Sequence, residues 1–351
     1  MEKREKLILN HIPVLTWNRL KMNYEEIPNP GKMTDLEFDK KFPAEVFYEK
    51  DTKRKIDVQT GVGADINSLL DASEISSHYF KVGKGEKLAE PIRLDFDIKE
   101  GKWASVVELE VEDGGEATLV MDYRSSGSGF SAIQTRLKAD KEAKITLVQI
   151  QRIGDDLDFV NDLGGYLDEK SNIKVIKVIL SGDNSYDGGR FVLEDRADLS
   201  TNIGYIVEKD HRLDMNYLVE HKGVFSLSEI DVEGVLRDTA YKMFRGTIDI
   251  QHGADQAKGN EHENVLMLDE GVINKSIPII LCAEENVEGN HGATMGRLDE
   301  DLMFYLLSRG ISEEEIYELM AKVRILAIAN QIEDSVAKDL VLNEIGGFDN
   351  D

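Results

Sequence analysis

The sequence is almost free of cysteine: Cys282 is the single thiol among 351 residues. One cysteine excludes a disulfide framework, and it excludes an all-thiolate zinc or iron–sulfur site supplied by one chain. So low a thiol content suits a reducing compartment, and we expect a cytoplasmic protein. Long apolar runs are lacking too. The N-terminus has no secretory signal pattern, and no run approaches the roughly 18 apolar residues of a membrane span.

Basic residues are scarce relative to acidic ones. The chain carries 42 Lys and Arg against 68 Asp and Glu, a formal net charge of −26 at pH 7. Such a chain repels phosphate backbones and anionic membrane surfaces, so we expect neither a nucleic-acid nor a membrane partner. Apolar residues make up 41% of the chain, which is ordinary for a globular protein and too high for wholesale disorder.

Proline is also scarce, and its distribution marks the first region. Four of the six prolines lie before residue 44, where they cut the chain into pieces too short for long helices. We therefore expect a mixed, partly helical N-terminal region over residues 1–87. Within it, apolar spacing predicts short helices over 17–24 and 65–75.

The middle of the chain, residues 88–296, lacks any long helical pattern. It consists of short β-branched runs separated by Gly, Asp and Asn, which recur at the spacing of an all-β core rather than of βαβ units. This spacing argues against a doubly wound nucleotide-binding domain. A sandwich, a barrel and a β-solenoid all fit, and the scarcity of tight hairpin dipeptides favours the solenoid.

After Gly296 the apolar period becomes helical, which predicts a C-terminal helical region over 297–351. Asp299 is placed to cap a first helix that ends before Gly310. Ser312 and Glu315 form a capping-box pattern for a second helix, and a third is expected over about 334–345. The run 302–307 is apolar on all sides, so part of it should meet a neighbouring helix or a partner chain.

Several candidate sites have ordinary structural interpretations. Residues 183–194 fit the EF-hand loop pattern, but their flanks are strand-like, and we interpret 183–188 as a polar turn between strands. His252 and His262 fall in a predicted loop over 251–264, where solvated histidines are common. Cys282 follows an apolar run, which predicts a buried, inert thiol.

The segment 291–311 carries a long pattern without gaps: His-Gly-Ala-x-x-Gly-x-Leu-Asp-x-x-x-x-Phe-Tyr-Leu-x-Ser-Arg-Gly-Ile. This pattern closely resembles the C-terminal signature of the SufB/SufD family of iron–sulfur cluster assembly proteins. The form at residues 291–293 is that of the D-type subunit, since B-type chains place a Glu after the His. The positions at which family members carry cysteines hold Val272 and Gly289 here, which argues against thiolate ligation of a cluster by this chain.

The resemblance implies a right-handed parallel β-helix (SufBD-like) with flanking N- and C-terminal helical regions. It also implies a scaffold subunit rather than an enzyme, which works with the ABC-type ATPase SufC to build and transfer Fe–S clusters. This chain has no Walker motif of its own. The second partner implied is a SufB- or SufD-type chain, or the chain itself as a homodimer, and the sequence leaves these two open.

The same resemblance implies site residues. His291 is the expected ligand if the chain contacts iron, with a transient iron or Fe–S cluster at a subunit interface and no stably bound cofactor. The alternative is that the His291 ring bonds a backbone carbonyl at the turn between the β-helix and the tail. Cys282→Ala is expected to keep cluster assembly. The residues expected to contact the ATPase lie in the first C-terminal helix: Leu302, Met303, Phe304, Tyr305, Leu306 and Arg309.

A second function fits an all-β solenoid rich in carboxylates. Such a chain could be a β-helix carbohydrate-active enzyme whose acid–base pair comes from two of its 68 acidic residues. Enzymes of this kind are usually exported, and no signal pattern is present. We therefore favour the scaffold, for which no catalytic residue is expected.

Overall fold

The computed structural model describes residues 5–346, except for the side chain of Glu300. Two large sheets of mainly parallel strands, one of ten strands and one of nine, form a flattened solenoid in which successive strands alternate between the sheets. The predicted β-helix with flanking helices is therefore confirmed. A sandwich and an up-and-down barrel are excluded, because neighbouring strands within each large sheet are parallel from β6 and β7 onward.

The helices are α1 (Ala64–Ala72), α2 (Glu300–Ser308), α3 (Glu313–Ala329) and α4 (Ser335–Gly346). The strands before the solenoid are β1 (Lys6–Leu9), β2 (Glu25–Pro28), β3 (Thr34–Asp35), β4 (Asp39–Lys41) and β5 (Phe47–Asp51). The solenoid strands are β6 (Ser77–Val82), β7 (Ile92–Ile98), β8 (Gly101–Val111), β9 (Glu116–Ser125), β10 (Gly129–Ala139), β11 (Lys144–Arg152), β12 (Leu157–Leu167), β13 (Asn172–Ser181), β14 (Asn184–Leu193), β15 (Asp198–Val207), β16 (Arg212–His221), β17 (Leu227–Leu236), β18 (Tyr241–Ile250), β19 (Lys258–Met267), β20 (Ile273–Cys282) and β21 (Glu288–Gly296).

The two sheets enclose a common core because their strands place apolar residues at the same positions from coil to coil. Even-numbered strands from β6 to β20 form the ten-stranded sheet with β3 and β5, and odd-numbered strands from β7 to β21 form the nine-stranded sheet with β4. The inward side chains pack into one continuous apolar core between the sheets. Burial of that core is the main stabilising term, since each fully buried Leu, Ile or Phe contributes about 1.5–3 kcal/mol.

The predicted helices have mixed outcomes. The helix over 65–75 and the three C-terminal helices are present, with the Asp299 cap and the Ser312–Glu315 capping box both formed. The helix over 17–24 is wrong, because only a single 3-10 turn forms there, at Asn18–Leu20. The Asn23 side chain bonds Thr16 and Asn18 instead, and such side-chain bonds compete with helix formation.

The N-terminal region crosses the outer face of the ten-stranded sheet as a strap. Buried polar side chains on successive coils bond its backbone. Glu108 on β8 accepts from the N–H groups of Lys55 and Ile56, and Asp162 on β12 accepts from that of Val62. The strap thus runs along the solenoid, coil by coil, from the first coils toward the last.

The strap lies so close to the sheet that glycine is required where the two meet. A Cβ atom on Gly61 would lie 2.1 Å from the backbone of Gly189. Further along, Asn10 bonds Asp214 on β16, and Arg245 on β18 donates to the carbonyl of Met22 at 2.6 Å. These contacts place the segment around Met22 over the next-to-last strand of the sheet.

The solenoid interior contains ionised side chains as well as apolar ones. Lys177 and Asp187 form an ion pair with Nζ–Oδ distances of 3.0 and 2.7 Å, and the Tyr217 hydroxyl donates to the same carboxylate. All three side chains are buried. Asp187 belongs to the segment 183–188, so the prediction of a polar turn there is wrong from Asn184 onward: β14 begins at that residue, and its Ser185 and Asp187 side chains are buried.

His221, near the end of β16, predicts a pH-dependent stability. Its ring is buried between the hydroxyls of Ser226 and Ser228, and burial lowers its pKa to about 4. Because the unfolded histidine binds a proton near pH 6.5 and the folded one does not, stability falls as the pH drops below 6.5. We expect a loss of about 2 kcal/mol between pH 7 and pH 5 from this residue.

Urea unfolding across that pH range measures the effect of His221. His221→Gln, which cannot titrate, should show a shallower decline in unfolding free energy toward acid than the natural chain. Equal slopes for the two proteins would contradict this prediction.

Candidate functional site

The end of the solenoid at β20 and β21 is open. Each is the last strand of its sheet, so one side of each has no neighbouring strand within residues 5–346. The N–H groups of Ile273 and Ala283 point toward the β18 side, where they donate to the carbonyls of Ala240, just before β18, and of Ile250, its last residue. Backbone groups alternate sides along a strand, so the intervening even-numbered residues turn theirs to the open side.

The composition of these two edges is unusual for exposed strands. Each carries a single charged residue, Lys275 on β20 and Glu288 on β21, although 31% of the whole chain is charged. Exposed edges are normally protected by charges, by proline or by shortness. Here Pro278 is the one protecting residue, at an even position where its missing N–H breaks no ladder bond. The edges are therefore suited to pairing with another chain.

Polar side chains collect inside the last coils, just beneath this opening. Lys242 on β18 pairs with Glu263 on β19, and both are buried. The neighbouring Glu261 is buried as well, and its burial, together with the charge of Glu263, raises its pKa to about 8. On β20, the inward-facing Asn274 and Ser276 have side-chain polar atoms with no partner among the described residues. An occupant of the open end therefore meets unsatisfied polar groups.

His291 lies in β21, directly beyond Glu261 in the register. The residue is exposed, and Gly289 and Gly292, which lie close to it in the strand, add no side chains around it. The alternative that places it at a turn is wrong, because β21 continues to Gly296. Residues 5–346 contain no group of three or more His, Cys, Asp and Glu side chains that could hold a metal ion. His291 alone can offer one imidazole, and any further ligands must come from elsewhere.

Cys282 is exposed, so the prediction of a buried thiol is wrong. Its strand is apolar, as the sequence indicated, but β20 is the last strand of its sheet and no further coil covers the side chain. The thiol donates to the carbonyl of Glu284 at 3.1 Å. The predicted loop over 251–264 is also wrong in part, because His262 lies within β19, although His252 lies in a corner.

Helix α2 presents a second candidate surface. Leu302, Phe304 and Tyr305 are exposed, with Phe304 at 73%, and Met303 and Leu306 are half-buried. The exposed Arg309 guanidinium lies 5.0 Å from the centre of the Tyr305 ring. A groove of about 500 Å³ separates this helix from the solenoid corner, lined by Met267, Leu268, Leu298, Met303, Phe304 and Leu307 among others.

Comparison with known families favours a role in iron–sulfur cluster assembly over the carbohydrate-active enzyme. A family model described as SUF system FeS cluster assembly, SufBD core domain, matches residues 98–322. The chain belongs to the SufBD family. The match begins at the end of β7 and ends within α3, so it covers most of the solenoid and the start of the helical tail.

Curated SufBD proteins are similar to this chain at low identity. The iron–sulfur cluster assembly protein SufD of Bacillus subtilis is 29% identical over 178 residues, which are 50% of this chain and 38% of that protein. An iron–sulfur cluster assembly SufBD family protein of Mycobacterium leprae is 26% identical over 277 residues, 75% of this chain and 70% of the relative. SufD of Escherichia coli is 22% identical over 294 residues, 79% and 68% respectively.

SufBD membership confirms the resemblance seen at residues 291–311, and the two SufD relatives agree with its D-type form. The aligned segment spans well under half of the first of these relatives. Within residues 5–346, every helix is too short or too polar to cross a bilayer.

Sequence reasoning missed the inward polar residues Lys242, Glu261 and Glu263 of this SufBD chain. Lys and Glu are rarely buried unless paired, so nothing about these residue types singles them out as interior residues. The strand register, which the sequence does not show, puts Glu261 and His291 at the same place in consecutive coils, so both belong to one inward-facing column.

Proposed function

We propose that this chain is a scaffold subunit of a Suf-type complex that assembles iron–sulfur clusters in the cytoplasm. Its open end pairs with a second SufBD-type chain, and its helical tail binds the ABC-type ATPase SufC. The observation that carries the proposal is the pair of long, almost uncharged edge strands β20 and β21, which stand open beside His291.

Edge pairing supplies the association energy in this proposal. A second chain that adds a strand to β20 or β21 satisfies the open N–H and C=O groups and continues the sheet, as in other strand-addition complexes. It also covers the apolar rim of the last coil, where Ile273 and Met295 are exposed. The unpartnered Asn274 and Ser276 then gain access to polar groups of the partner.

In this proposal, His291 supplies an iron ligand at the open end of the solenoid. An imidazole is a ligand that suits iron and that can replace a thiolate on an Fe–S cluster. One imidazole cannot hold iron or a cluster by itself, so the remaining ligands in this proposal come from the paired chain or from sulfide. The iron or cluster is cargo that rests transiently at the interface.

His291→Ala tests this role. In a complex reconstituted with its partner chain and ATPase, we expect the variant to keep its assembly state and to lose most of the iron or cluster that the complex accumulates. His252→Ala is the matched control, since that side chain is 91% exposed and lies in a corner away from the inward column. Unchanged iron content in a stable His291→Ala complex would remove His291 from the proposal.

The ATPase site is tested better by substitution than by truncation. Helix α3 covers the apolar outer face of the nine-stranded sheet, so a chain that ends at Gly296 would uncover Ile206, Val235 and Leu266. Phe304→Glu places a charge in the middle of the exposed α2 surface without touching that packing. We expect it to raise the dissociation constant for the ATPase at least about tenfold, as for an interface hot spot.

Isothermal titration of the purified ATPase into the natural chain and the Phe304→Glu variant measures this change. Phe225→Glu is the control, because Phe225 is exposed on a solenoid corner far along the chain from α2. Equal affinities of the natural chain and Phe304→Glu would place the ATPase elsewhere.

A further inference from the structure

One loop of this acidic chain is basic and apolar. No Asp or Glu occurs between Lys6 and Glu25, although 68 of the 351 residues are acidic. The tip of this stretch, residues 13–21, is hereafter the basic loop. Its apolar side chains are exposed, with Trp17 at 70% and Leu15 at 60%. The loop therefore exposes apolar area in a stretch that has no acidic residue.

The cations of the basic loop have no carboxylate partner. Neither Arg19 nor Lys21 forms a salt bridge with any residue in 5–346, and the Arg19 guanidinium stacks 5.0 Å from the centre of the Trp17 ring. Exposed Trp and Arg beside aliphatic residues are typical of interface hot spots. The composition of the loop is thus that of a protein-binding surface.

The basic loop is held in one conformation by the buried Asn23. The Asn23 side chain accepts hydrogen bonds from the N–H and the hydroxyl of Thr16 at 2.8 and 2.7 Å, and it donates one to Asn18. The N–H of Ile12 donates to the carbonyl of Asn23 at 3.0 Å and closes the base of the loop. A loop that is already ordered loses little conformational entropy on binding, so Trp17 is presented to a partner at low cost.

The base of the basic loop lies next to the open end. Arg245 on β18 donates from its Nε to the carbonyl of Met22 at 2.6 Å. Arg245 is also the register partner of Ile277 on β20, the edge strand. The loop therefore begins one strand from the edge, on the outer face of the ten-stranded sheet.

The base of the loop and His291 lie at the same level along the strands. A Cβ atom on Gly246 would lie 2.1 Å from a carboxylate oxygen of Glu261, so β18 and β19 face each other at this point. Glu261 is the register partner of His291. Because Arg245 directly precedes Gly246, the loop that it holds is level with His291.

The distance from the loop to the open end is within the size of a small protein. Stacked sheets lie about 10 Å apart and neighbouring strands about 4.8 Å apart. The loop lies outside one sheet and His291 lies in the other, so roughly 15–20 Å separates them. A domain of about 100 residues has a radius of gyration of about 13 Å and is about 30 Å across. A protein bound at the loop therefore reaches the open end.

Charge selects the kind of partner. The chain has a net charge of −26, so a basic protein is attracted at many points of its surface. An acidic protein is repelled by that surface and attracted at the unpaired cations of the basic loop. For an acidic partner, the loop therefore determines both the place and the orientation of binding.

We propose that the basic loop is the docking site for the protein that receives the cluster, an acidic apo-protein with free cysteine thiols. The inference rests on the proposed function, in which a cluster rests transiently beside His291. Trp17 and its aliphatic neighbours enter an apolar pocket of the acceptor. Arg19 and Lys21 pair with carboxylates at the rim of that pocket.

Transfer from the docked state is a ligand exchange. Four cysteine thiols of the acceptor each lose a proton to solvent and form a bond to iron, while the bonds from iron to His291 and to the other scaffold ligands break. The cluster keeps its iron, its sulfide and its electrons, so the step needs no oxidant and no reductant. Docking speeds the exchange because it raises the concentration of acceptor thiols at the open end.

The apo form of an acidic [2Fe–2S] ferredoxin is the probe for docking. Isothermal titration of this probe into the full chain should give a dissociation constant that rises at least about tenfold in Arg19→Glu with Lys21→Glu, and likewise in Trp17→Ala. Lys32→Glu with Lys53→Glu is the control, because it reverses two exposed charges near the opposite end of the solenoid. It should change the dissociation constant less than about twofold.

Cluster transfer gives a second readout. A complex reconstituted with its partner chain and ATPase is loaded with cluster, and circular dichroism of the ferredoxin follows the transfer. The variant with Arg19→Glu and Lys21→Glu should lower kcat/KM at least about tenfold, mainly through KM, with the iron content of the complex unchanged. Raising the salt from about 50 to 300 mM should slow transfer from the natural complex more than from this variant.

The outcomes separate this inference from the proposed function. Equal dissociation constants for the natural chain and both loop variants would overturn the docking site, while normal iron loading of the complex would leave the proposed function in place. If the complex loads no cluster but ferredoxin binding still depends on the loop, the proposed function fails and the docking surface stands.

A lipid surface is the competing occupant, since Trp and Leu beside cations also suit an anionic membrane. Flotation with vesicles of phosphatidylcholine and phosphatidylserine tests it. We expect no binding to these vesicles. Binding that Trp17→Ala abolishes, without binding of the ferredoxin, would overturn the proposal and assign the loop to lipid.

Discussion

Asp187→Ala is expected to lower the free energy of unfolding by about 3–5 kcal/mol. The substitution leaves the Lys177 ammonium and the Tyr217 hydroxyl buried in the solenoid interior without an acceptor. Burial already lowers the pKa of Lys177, so the ammonium is costly to keep charged once its partner is gone. Urea unfolding followed by circular dichroism at pH 7 measures the change.

A matched variant separates the charge effect from the loss of packing. Lys177→Met, Asp187→Leu and Tyr217→Phe together replace all three polar groups with apolar ones of similar size. We expect this triple variant to recover most of the lost stability, because burying an ion pair costs desolvation that an apolar cluster avoids. A loss below about 1 kcal/mol for Asp187→Ala alone would contradict the prediction.

Proline on both open edges is expected to abolish pairing at the end of the solenoid. Ser276 and Ala293 have backbone N–H groups that face the open side, so Ser276→Pro with Ala293→Pro breaks no bond inside the chain. In a paired complex each proline removes one donor and leaves a buried acceptor unsatisfied, at about 1–3 kcal/mol each. The dissociation constant should therefore rise about a hundredfold or more.

The single thiol provides the measurement. Cys282 is exposed at the end of β20, and pairing should slow its alkylation by a maleimide reagent in the natural chain. The proline variant should react at the unprotected rate at every protein concentration. Ser276→Ala with Ala293→Ser keeps both N–H groups and should behave as the natural chain does. Protection that survives the two prolines would show that the partner does not bind at these edges.

Local chemistry explains which elements could be predicted. The Asp299 and Ser312 caps depend on residues within three positions of each other, so sequence alone placed the starts of α2 and α3. The short β-branched runs likewise indicated an all-β core, although they fitted a sandwich, a barrel and a solenoid alike. The helix over 17–24 was predicted from apolar spacing alone. That spacing is also compatible with the observed backbone path, which the bonds of the Asn23 side chain hold in place.

Burial near the open end could not be predicted from local sequence in the same way. An apolar run predicts a buried thiol at Cys282 only if another coil follows, and β20 is the last strand of its sheet. Lys242, Glu261 and Glu263 are of types that usually lie at the surface, yet strand register turns them inward beneath the opening. Both observations have the same cause, because burial depends on which strand lies next to a residue and not on the residues beside it in the chain.

Local sequence and tertiary structure therefore determine different features of this protein. Composition, caps, strand period and the pattern at 291–311 establish the all-β core, the helical tail and the SufBD family, because each depends on residues close together in sequence. The open end, its unpaired edges and the inward column from Glu261 to His291 follow from the stacking of coils. Stacking joins residues through inter-strand hydrogen bonds and core packing, which no local stretch of sequence records.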